Sequence, residues 1–182
     1  MKYNIDNIQP DSELLFFWGH RPSKDGTIIK SCCSQWWVAP FEEDGVTYHT
    51  AEQYMMGGKA ALFNDEEVRT KILATKDPKA CKKLGRQVRG FEASVWDAHK
   101  YAIVRQANLL KFGQNPELRT WLLSTASQVI VEASPYDKVW GIGLTQDDPK
   151  AKDPQQWDGE NLLGFALMEV REELAQNQNS NI

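Results

Sequence analysis

The sequence predicts an α+β fold, mostly helical, with a small antiparallel sheet. Three observations point there. Short apolar and aromatic runs, broken by turn residues, crowd the N-terminal third. Beyond residue 50, helix-start signatures recur just ahead of runs with helical apolar spacing. One further strand pattern, QVIVEA, stands late in the chain. With 182 residues and no internal repeat or linker, residues 1–176 are expected to form one domain, followed by a flexible polar tail over 177–182.

The elements follow in order. ELLFFWG, residues 13–19, is short, apolar and aromatic, as a buried strand is. RPSKDGTIIKSCC reads as a loop. QWWVAPFEEDGVTYHT holds two strands around Asp44 and Gly45, a favoured hairpin turn pair, and these strands complete the sheet. Thr50 and Gln53 have capping-box spacing, so a helix begins near Ala51. Asn64 is placed to cap DEEVRTKILAT, whose first-turn carboxylates suit the helix dipole. Asp77 and Pro78 open a third helix, which Gly85 can end. In SVWDAHKYAIVRQANLLKFG, Trp96, Ile103, Ala107 and Leu110 share one stripe, with Gly113 at the stop. Asn115 and Pro116 open ELRTWLLST. A loop rich in Pro, Gly and Asp fills 134–160, and Asn161 is placed to cap the last helix, with its stripe Leu163, Leu167, Val170 and Leu174.

Composition narrows the function. Hydrophobic residues at 41% and charged residues at 25% fit a soluble globular chain. A net charge of -4 argues against non-specific coating of nucleic acid but leaves room for a local basic patch. Three Cys without CxxC spacing and three His without HExxH spacing give no disulfide framework and no metal site, so no cofactor is expected and the compartment is read as reducing and cytoplasmic. The opening MKYNIDNIQPDSELL lacks the pattern of a secretory leader, and no run reaches the ~18 apolar residues of a membrane span. Seven Trp is a high count, and a pocket for a flat ring is one use for them.

Four stretches could carry chemistry. In HTAEQYMMGGKAALF, Glu52 and Lys59 are two helical turns apart on one face. Gly57 and Gly58 each cost about 1 kcal/mol relative to Ala in a helix, which suggests close approach of a backbone or a ligand; a solvated, kinked face is the alternative. In EASPYDKVWGIGL, Asp137 and Trp140 follow a strand, where a carboxylate can take hydroxyls and an indole can stack on a ring; a turn Asp and a core Trp are the alternative. Lys79, Lys82, Lys83 and Arg86 share a helix face that could hold phosphates or simply face solvent, with Arg86 the member expected to turn inward. In WDGENLLGFALMEVREEL, Asn161 marks a helix N-terminus, a potential anion site, and Gly164 permits close approach.

The order of these blocks, TAEQYMMGGKA, LGRQVRG with a later Trp, ELRTWLLSTA, IVEASPYDKVWGIG and GENLLGFALMEVREEL, resembles the YbiA-like family, also called NADAR domains. The resemblance covers about residues 14–175. The positions it matches are Glu52, Tyr54, Lys59, Gly85, Arg86, Trp96, Asp137, Trp140, Gly141, Asn161, Gly164 and Arg171. The sequence departs from the family pattern where Cys33, Ser34, Gln35 and Trp36 stand for the usual Phe-Ser-x-Phe, at Ala51 where Ser is common, at Ile142 to Leu144 where many members are more polar, and in the long loop Thr145–Glu160.

The resemblance implies cleavage of an N-glycosidic bond. The substrates it implies are ADP-ribose linked to guanine bases of DNA or RNA, or phosphorylated ribosylamine intermediates of riboflavin biosynthesis. The alternatives are a non-catalytic NAD- or ADP-ribose-binding module and a helical interaction protein whose Trp are all core. Such cleavage builds positive charge on C1 of the ribose and pushes electrons onto the leaving base. Glu52 or Asp137 would face C1, and Lys59 would hold phosphate, keep Glu52 ionised, or attack C1. Trp96 or Trp140 would stack on the base and Arg86 would grip a phosphate, with Ser34, Trp36, Tyr54, Gly141 and Asn161 completing the substrate contacts. No membrane partner is expected.

Overall fold

The computed structural model describes residues 1–179. In chain order the strands are β1 Leu14–Phe17, β2 Phe41–Glu43, β3 Val46–Tyr48 and β4 Val129–Glu132. The helices are α1 Ala51–Leu62, α2 Glu66–Leu73, α3 Pro78–Gly85, α4 Ala93–Gln114, α5 Pro116–Ser124 and α6 Leu162–Asn179. The class is α+β, with six α-helices among the described residues. The chain divides into two compact units, one combining Met1–Ser34 with the chain from Pro116 onward, the other formed by Gln35–Asn115.

In the unit Gln35–Asn115 the expected hairpin forms, with Phe41 opposite Tyr48 and left-handed turn residues Asp44 (φ 50) and Gly45 (φ 77). α1 then runs through the middle of α2, α3 and α4. Thr50 caps it by accepting from the Gln53 amide at 3.1 Å. Gln53 is fully buried, and its amide nitrogen donates to the carbonyls of Ile72, Leu73 and Thr75, so it ties down the end of α2. Glycine allows close packing at two contacts. A Cβ on Gly58 would meet Ile103 Cγ2 of α4 at 3.0 Å, and one on Gly85 of α3 would overlap the Met56 sulfur. Gly57 meets only ordinary contacts.

Three expectations about the elements of this unit change. Asp65, not Asn64, caps α2, its carboxylate accepting from the Val68 amide at 3.3 Å, while Asn64 takes a left-handed turn (φ 56). The buried stripe of α4 is Val104, Ala107, Asn108, Lys111 and Phe112, rotated from the predicted one, because two polar residues lie inside and an apolar pattern cannot see them. α4 also continues past Gly113 to Gln114.

In the other unit, β1 does not join the hairpin. It pairs in parallel with β4, from Leu14 opposite Val129 to Phe17 opposite Glu132. Both strands are apolar runs, and such a strand needs a buried neighbour on its face more than a sequence-adjacent one. Phe17, Ile130, Val131, Leu163, Phe165 and Leu167 are nearly fully buried here. The long loop carries structure of its own: Asp148 and Asp153 each cap a short 3-10 helix that begins with Pro, and buried Trp157 donates its indole N–H to the Ala151 carbonyl. Of the expected tail, 177–179 belong to α6, and 180–182 lie outside the described residues. All three cysteines are buried, and none is in a disulfide among the described residues. No helix among the described residues is long and apolar enough to cross a membrane.

Arg89 grips buried Asp65 with a fork, Nη2 to Oδ1 at 2.6 Å and Nε to Oδ2 at 3.0 Å, while its own backbone N–H donates to Oδ2 at 2.9 Å. The Arg89 side-chain bonds, then its amide and that of Val68, hold the Asp65 carboxyl well below the usual carboxylate range. A carboxylate with a folded pKa below its unfolded value, about 3.9, stabilises fully above that value and loses the contribution as pH falls through the folded one. Asp65→Asn is therefore expected to lower the urea midpoint at about pH 7 and to approach wild type as pH drops below about 3.9, which denaturant titrations at the two pH values check.

Candidate active site

The Gln35–Asn115 unit gathers its site around one face of α1. Glu52 lies in the first turn, 3% exposed, with its backbone N–H donating to the Gln35 carbonyl at 2.9 Å. Its charge reaches Cys81 of α3, whose thiol is pushed up to about 11, first by burial and then by Glu52. Two turns on, Lys59 is half-buried, with Nζ 4.2 Å from the centre of the Phe91 ring and 5.6 Å from that of Trp96. Burial lowers the pKa of this amine. Trp96 is half-buried beside Lys59.

Other predicted residues of this unit take separate positions. Tyr54 is two residues from Glu52, roughly 200° around the helix. Its hydroxyl donates to Glu43 at 2.6 Å, and its ring packs on Tyr48 and Phe41. It lines a cavity of about 360 Å³ with Tyr48, Gly57, Gly58, Arg69 and His99, on the face away from Glu52 and Lys59. Arg86 does not turn inward: it is exposed just past the end of α3, together with Lys79, Lys82 and Lys83. The basic face therefore forms as predicted, and Lys82 Nζ reaches to 6.0 Å from the half-buried Trp36 ring.

The second group lies in the other unit, at the carboxyl end of β4. The Asp137 carboxylate accepts from the Val139 amide at 3.0 Å and the Trp140 amide at 2.8 Å, and its carbonyl accepts from Gly143. Trp140 is half-buried. A Cβ on Gly141 would come 2.7 Å from the Glu132 carbonyl, so no larger residue fits there. Ser34 is half-buried at the end of a 3-10 helix, where its backbone N–H donates to Ser31.

Asn161 is not a side-chain cap. It is fully buried with φ 53, its Nδ2 donating to the Ile130 carbonyl at 2.9 Å and its Oδ1 accepting from the Glu132 amide at 3.0 Å. These groups face away from β1, so the carboxamide stands in for a third strand. Gly164 makes the approach possible, since a Cβ there would overlap the Ile130 carbonyl. Nor is the start of α6 open to an anion. The amides of Asn161, Leu162 and Leu163 donate to the carbonyls of Gly141, Val139 and Trp140, which occupy donors a helix N-terminus otherwise leaves free. Arg171 is also structural: buried, it donates to Thr125 Oγ1 at 2.7 Å and the Gln128 carbonyl at 2.9 Å.

Sequence reasoning missed three residues near Glu52 and Lys59. Phe91 is 46% exposed although it covers the Lys59 amine, and an aromatic in the polar run RGFEAS was the available signal. Gln35 and Asn108 are buried, with Asn108 Nδ2 donating a hydrogen bond to Gln35 Oε1 at 2.8 Å, and Gln35 Nε2 and Asn108 Oδ1 have no hydrogen-bond partner among the described residues. No sequence pattern announces them.

The NADAR domain profile matches residues 16–175. The chain belongs to the NADAR family. An N-glycosidase of Acanthamoeba polyphaga mimivirus is 44% identical to this NADAR protein over 87% of the chain and 95% of its own length. N-glycosidase YbiA of Escherichia coli is 35% identical over 75% of the chain and 76% of its own length. The chloroplastic riboflavin biosynthesis protein PYRR of Zea mays is 33% identical over 72% of the chain, which corresponds to 20% of that protein. The solution structure of Escherichia coli YbiA superposes with a TM-score of 0.73 at 30% identity, covering 92% of this NADAR chain and 88% of the other.

If burial sets the Lys59 amine, thinning its cover should re-wet it. Phe91→Ala is expected to raise the Lys59 pKa toward the ordinary lysine value of about 10.4, read from the pH dependence of amine acylation at that residue. A lower value would mean that the ring acts on the cation directly, and an unchanged one that Phe91 is not what desolvates the amine.

Proposed function

We propose that this protein removes ADP-ribose from guanine bases of nucleic acid by cleaving the ribosyl–base N-glycosidic bond. At the coarser level it is a glycosyl-bond hydrolase, as its N-glycosidase relatives are. The observation that carries the finer reading is the α1 face: a buried carboxylate, Glu52, and a half-buried amine, Lys59, walled by Phe91 and Trp96.

Each residue has a chemical task. Glu52 stabilises the positive charge that grows on C1, an interaction that burial strengthens. A lowered pKa makes more of the Lys59 amine neutral, which suits attack on C1 better than it suits phosphate binding. With the ribose ring open, C1 is an imine to the base nitrogen; the neutral amine adds to C1, its proton passes to the base nitrogen, and the C1–base bond breaks to leave C1 bound to Lys59 as an imine, which water hydrolyses to the sugar aldehyde and the free amine. Trp96 offers a ring to the base, and exposed Arg86 a guanidinium to a phosphate. Asp137 and the Trp140–Gly141 turn that it holds are proposed as substrate contacts.

A second substrate is favoured by one observation, the similarity to the maize riboflavin biosynthesis protein. Phosphorylated ribosylamine intermediates present the same type of bond on a smaller molecule. Offering both substrates to the enzyme separates the two readings, and release of ADP-ribose from guanine-linked ADP-ribose is the result expected. Turnover of the ribosylamine phosphate alone would reverse the order.

Glu52→Gln is expected to keep the fold and lose about 10²–10⁴-fold in kcat. Asp137→Asn keeps an oxygen for the Val139 and Trp140 amides while removing the charge, so a large loss of rate would assign the charge to catalysis and wild-type turnover would leave Asp137 with the turn alone. Lys59→Arg should abolish both turnover and borohydride trapping of a protein–sugar adduct. The acid limb of kcat/KM should rise through a pKa below about 10.4, because the neutral amine is the reactive form. A flat profile with no trapped adduct would leave Lys59 as a phosphate contact.

A further inference from the structure

Resting on that reading, we propose that Trp18 and Tyr136 form a stacking platform for a nucleobase of a single-stranded nucleic acid, so that the substrate is a base within a strand. Trp18 is 56% exposed and Tyr136 is 87% exposed, yet the two rings lie 6.1 Å apart with a 49° tilt. Packing within the fold does not account for Tyr136, whose side chain is almost wholly in water.

Their placement is not arbitrary. Trp18 directly follows β1, and Tyr136 stands in the loop after β4. The strands are parallel, so both rings sit at one carboxyl edge, where open parallel sheets present ligand contacts. Tyr136 immediately precedes Asp137. Strand pairing thus brings together two rings more than a hundred residues apart in sequence, beside a proposed substrate contact.

The surrounding charge selects the ligand class. His20 and Arg21 follow Trp18 in an exposed segment, fixed by the Ser31 hydroxyl donating to the Arg21 carbonyl at 2.7 Å. Lys138 follows Asp137, exposed, with its ammonium a loose 3.9 Å from Asp158. Although the chain carries a net charge of -4, Arg21 lies three residues from Trp18 and Lys138 two residues from Tyr136. Rings for bases and cations for the backbone are what single-strand recognition uses. A protein partner would call for a wider apolar surface than two rings set among Gly19, His20, Arg21 and Lys138.

The test compares two probes: an unmodified single-stranded oligonucleotide, followed by fluorescence anisotropy, and guanine-linked ADP-ribose offered either within that oligonucleotide or as a mononucleoside. Trp18→Ala and Tyr136→Ala should each weaken oligonucleotide binding roughly ten- to hundredfold. Each should raise KM for the oligonucleotide substrate by a similar factor, with a much smaller effect on the mononucleoside. Tyr136→Phe keeps the ring and should bind like wild type. Wild-type binding should weaken steeply with salt. Equal losses on both substrates, wild-type binding by both alanine variants, or no oligonucleotide binding by the wild-type protein would each overturn the platform. The two proposals fail separately: if wild type binds the oligonucleotide through Tyr136 but releases no ADP-ribose, the platform stands and the proposed reaction falls.

Discussion

The Asn161 carboxamide satisfies the outer edge of β4, and the unit that contains it is organised around that fact. A two-stranded parallel sheet leaves one row of backbone groups on β4 facing away from β1. Burying that row without partners would cost about 1–3 kcal/mol for each unsatisfied group. Asn161 takes the Ile130 carbonyl and the Glu132 amide, and the Ile142 amide takes the Glu132 carbonyl. This requires Asn161 in a left-handed conformation and a glycine at 164, where any side chain would strike the strand. The Asp137–Gly143 turn is held in the same seam, its carbonyls receiving the free amides at the head of α6. A structural necessity of the sheet thereby also fixes the loop that displays Asp137 and Trp140.

In the other unit the organising element is α1, whose two faces do different work. One face carries Tyr54 into an aromatic cluster with Phe41 and Tyr48, and Gly58 lets α4 close in. The opposite face carries Glu52 and Lys59. Beside Trp96, the Lys59 amine is covered by Phe91, in a segment anchored by the Arg89–Asp65 fork and turned at Gly90 (φ 69), with the Phe91 ring 5.4 Å from that of Phe63. The desolvation that changes Lys59 therefore depends on an ion pair that ties Arg89, thirty residues on, to Asp65, six residues on.

Each unit, taken by itself, holds its ionisable groups in defined surroundings rather than on flexible loops alone. Glu52 is on a helix, Lys59 on the same helix, and Asp137 in a turn whose own carboxylate braces it. Burial changes what each group can do: it strengthens the electrostatic effect of a carboxylate and makes an ammonium easier to deprotonate.

What the sequence determined by itself was local. Thr50, Asp77 and the Asp44–Gly45 pair act through bonds and dihedral angles within a few residues, so helix starts and the hairpin turn were legible, as was the exposed basic face of α3. The order of motifs carried the family. Tertiary structure decided the rest, because the deciding contacts are distant in sequence. Pairing of β1 with β4 rather than with the hairpin depends on which apolar faces meet, and no local pattern encodes that. Asn161 has the composition of a cap, but its backbone conformation sends the side chain to a strand thirty residues back. The sequence singles out Lys59 but leaves a solvated face as the alternative, and only Phe91 and Trp96 beside its amine decide between them, since the dielectric around a group is a property of what folds over it, not of its neighbours in the chain.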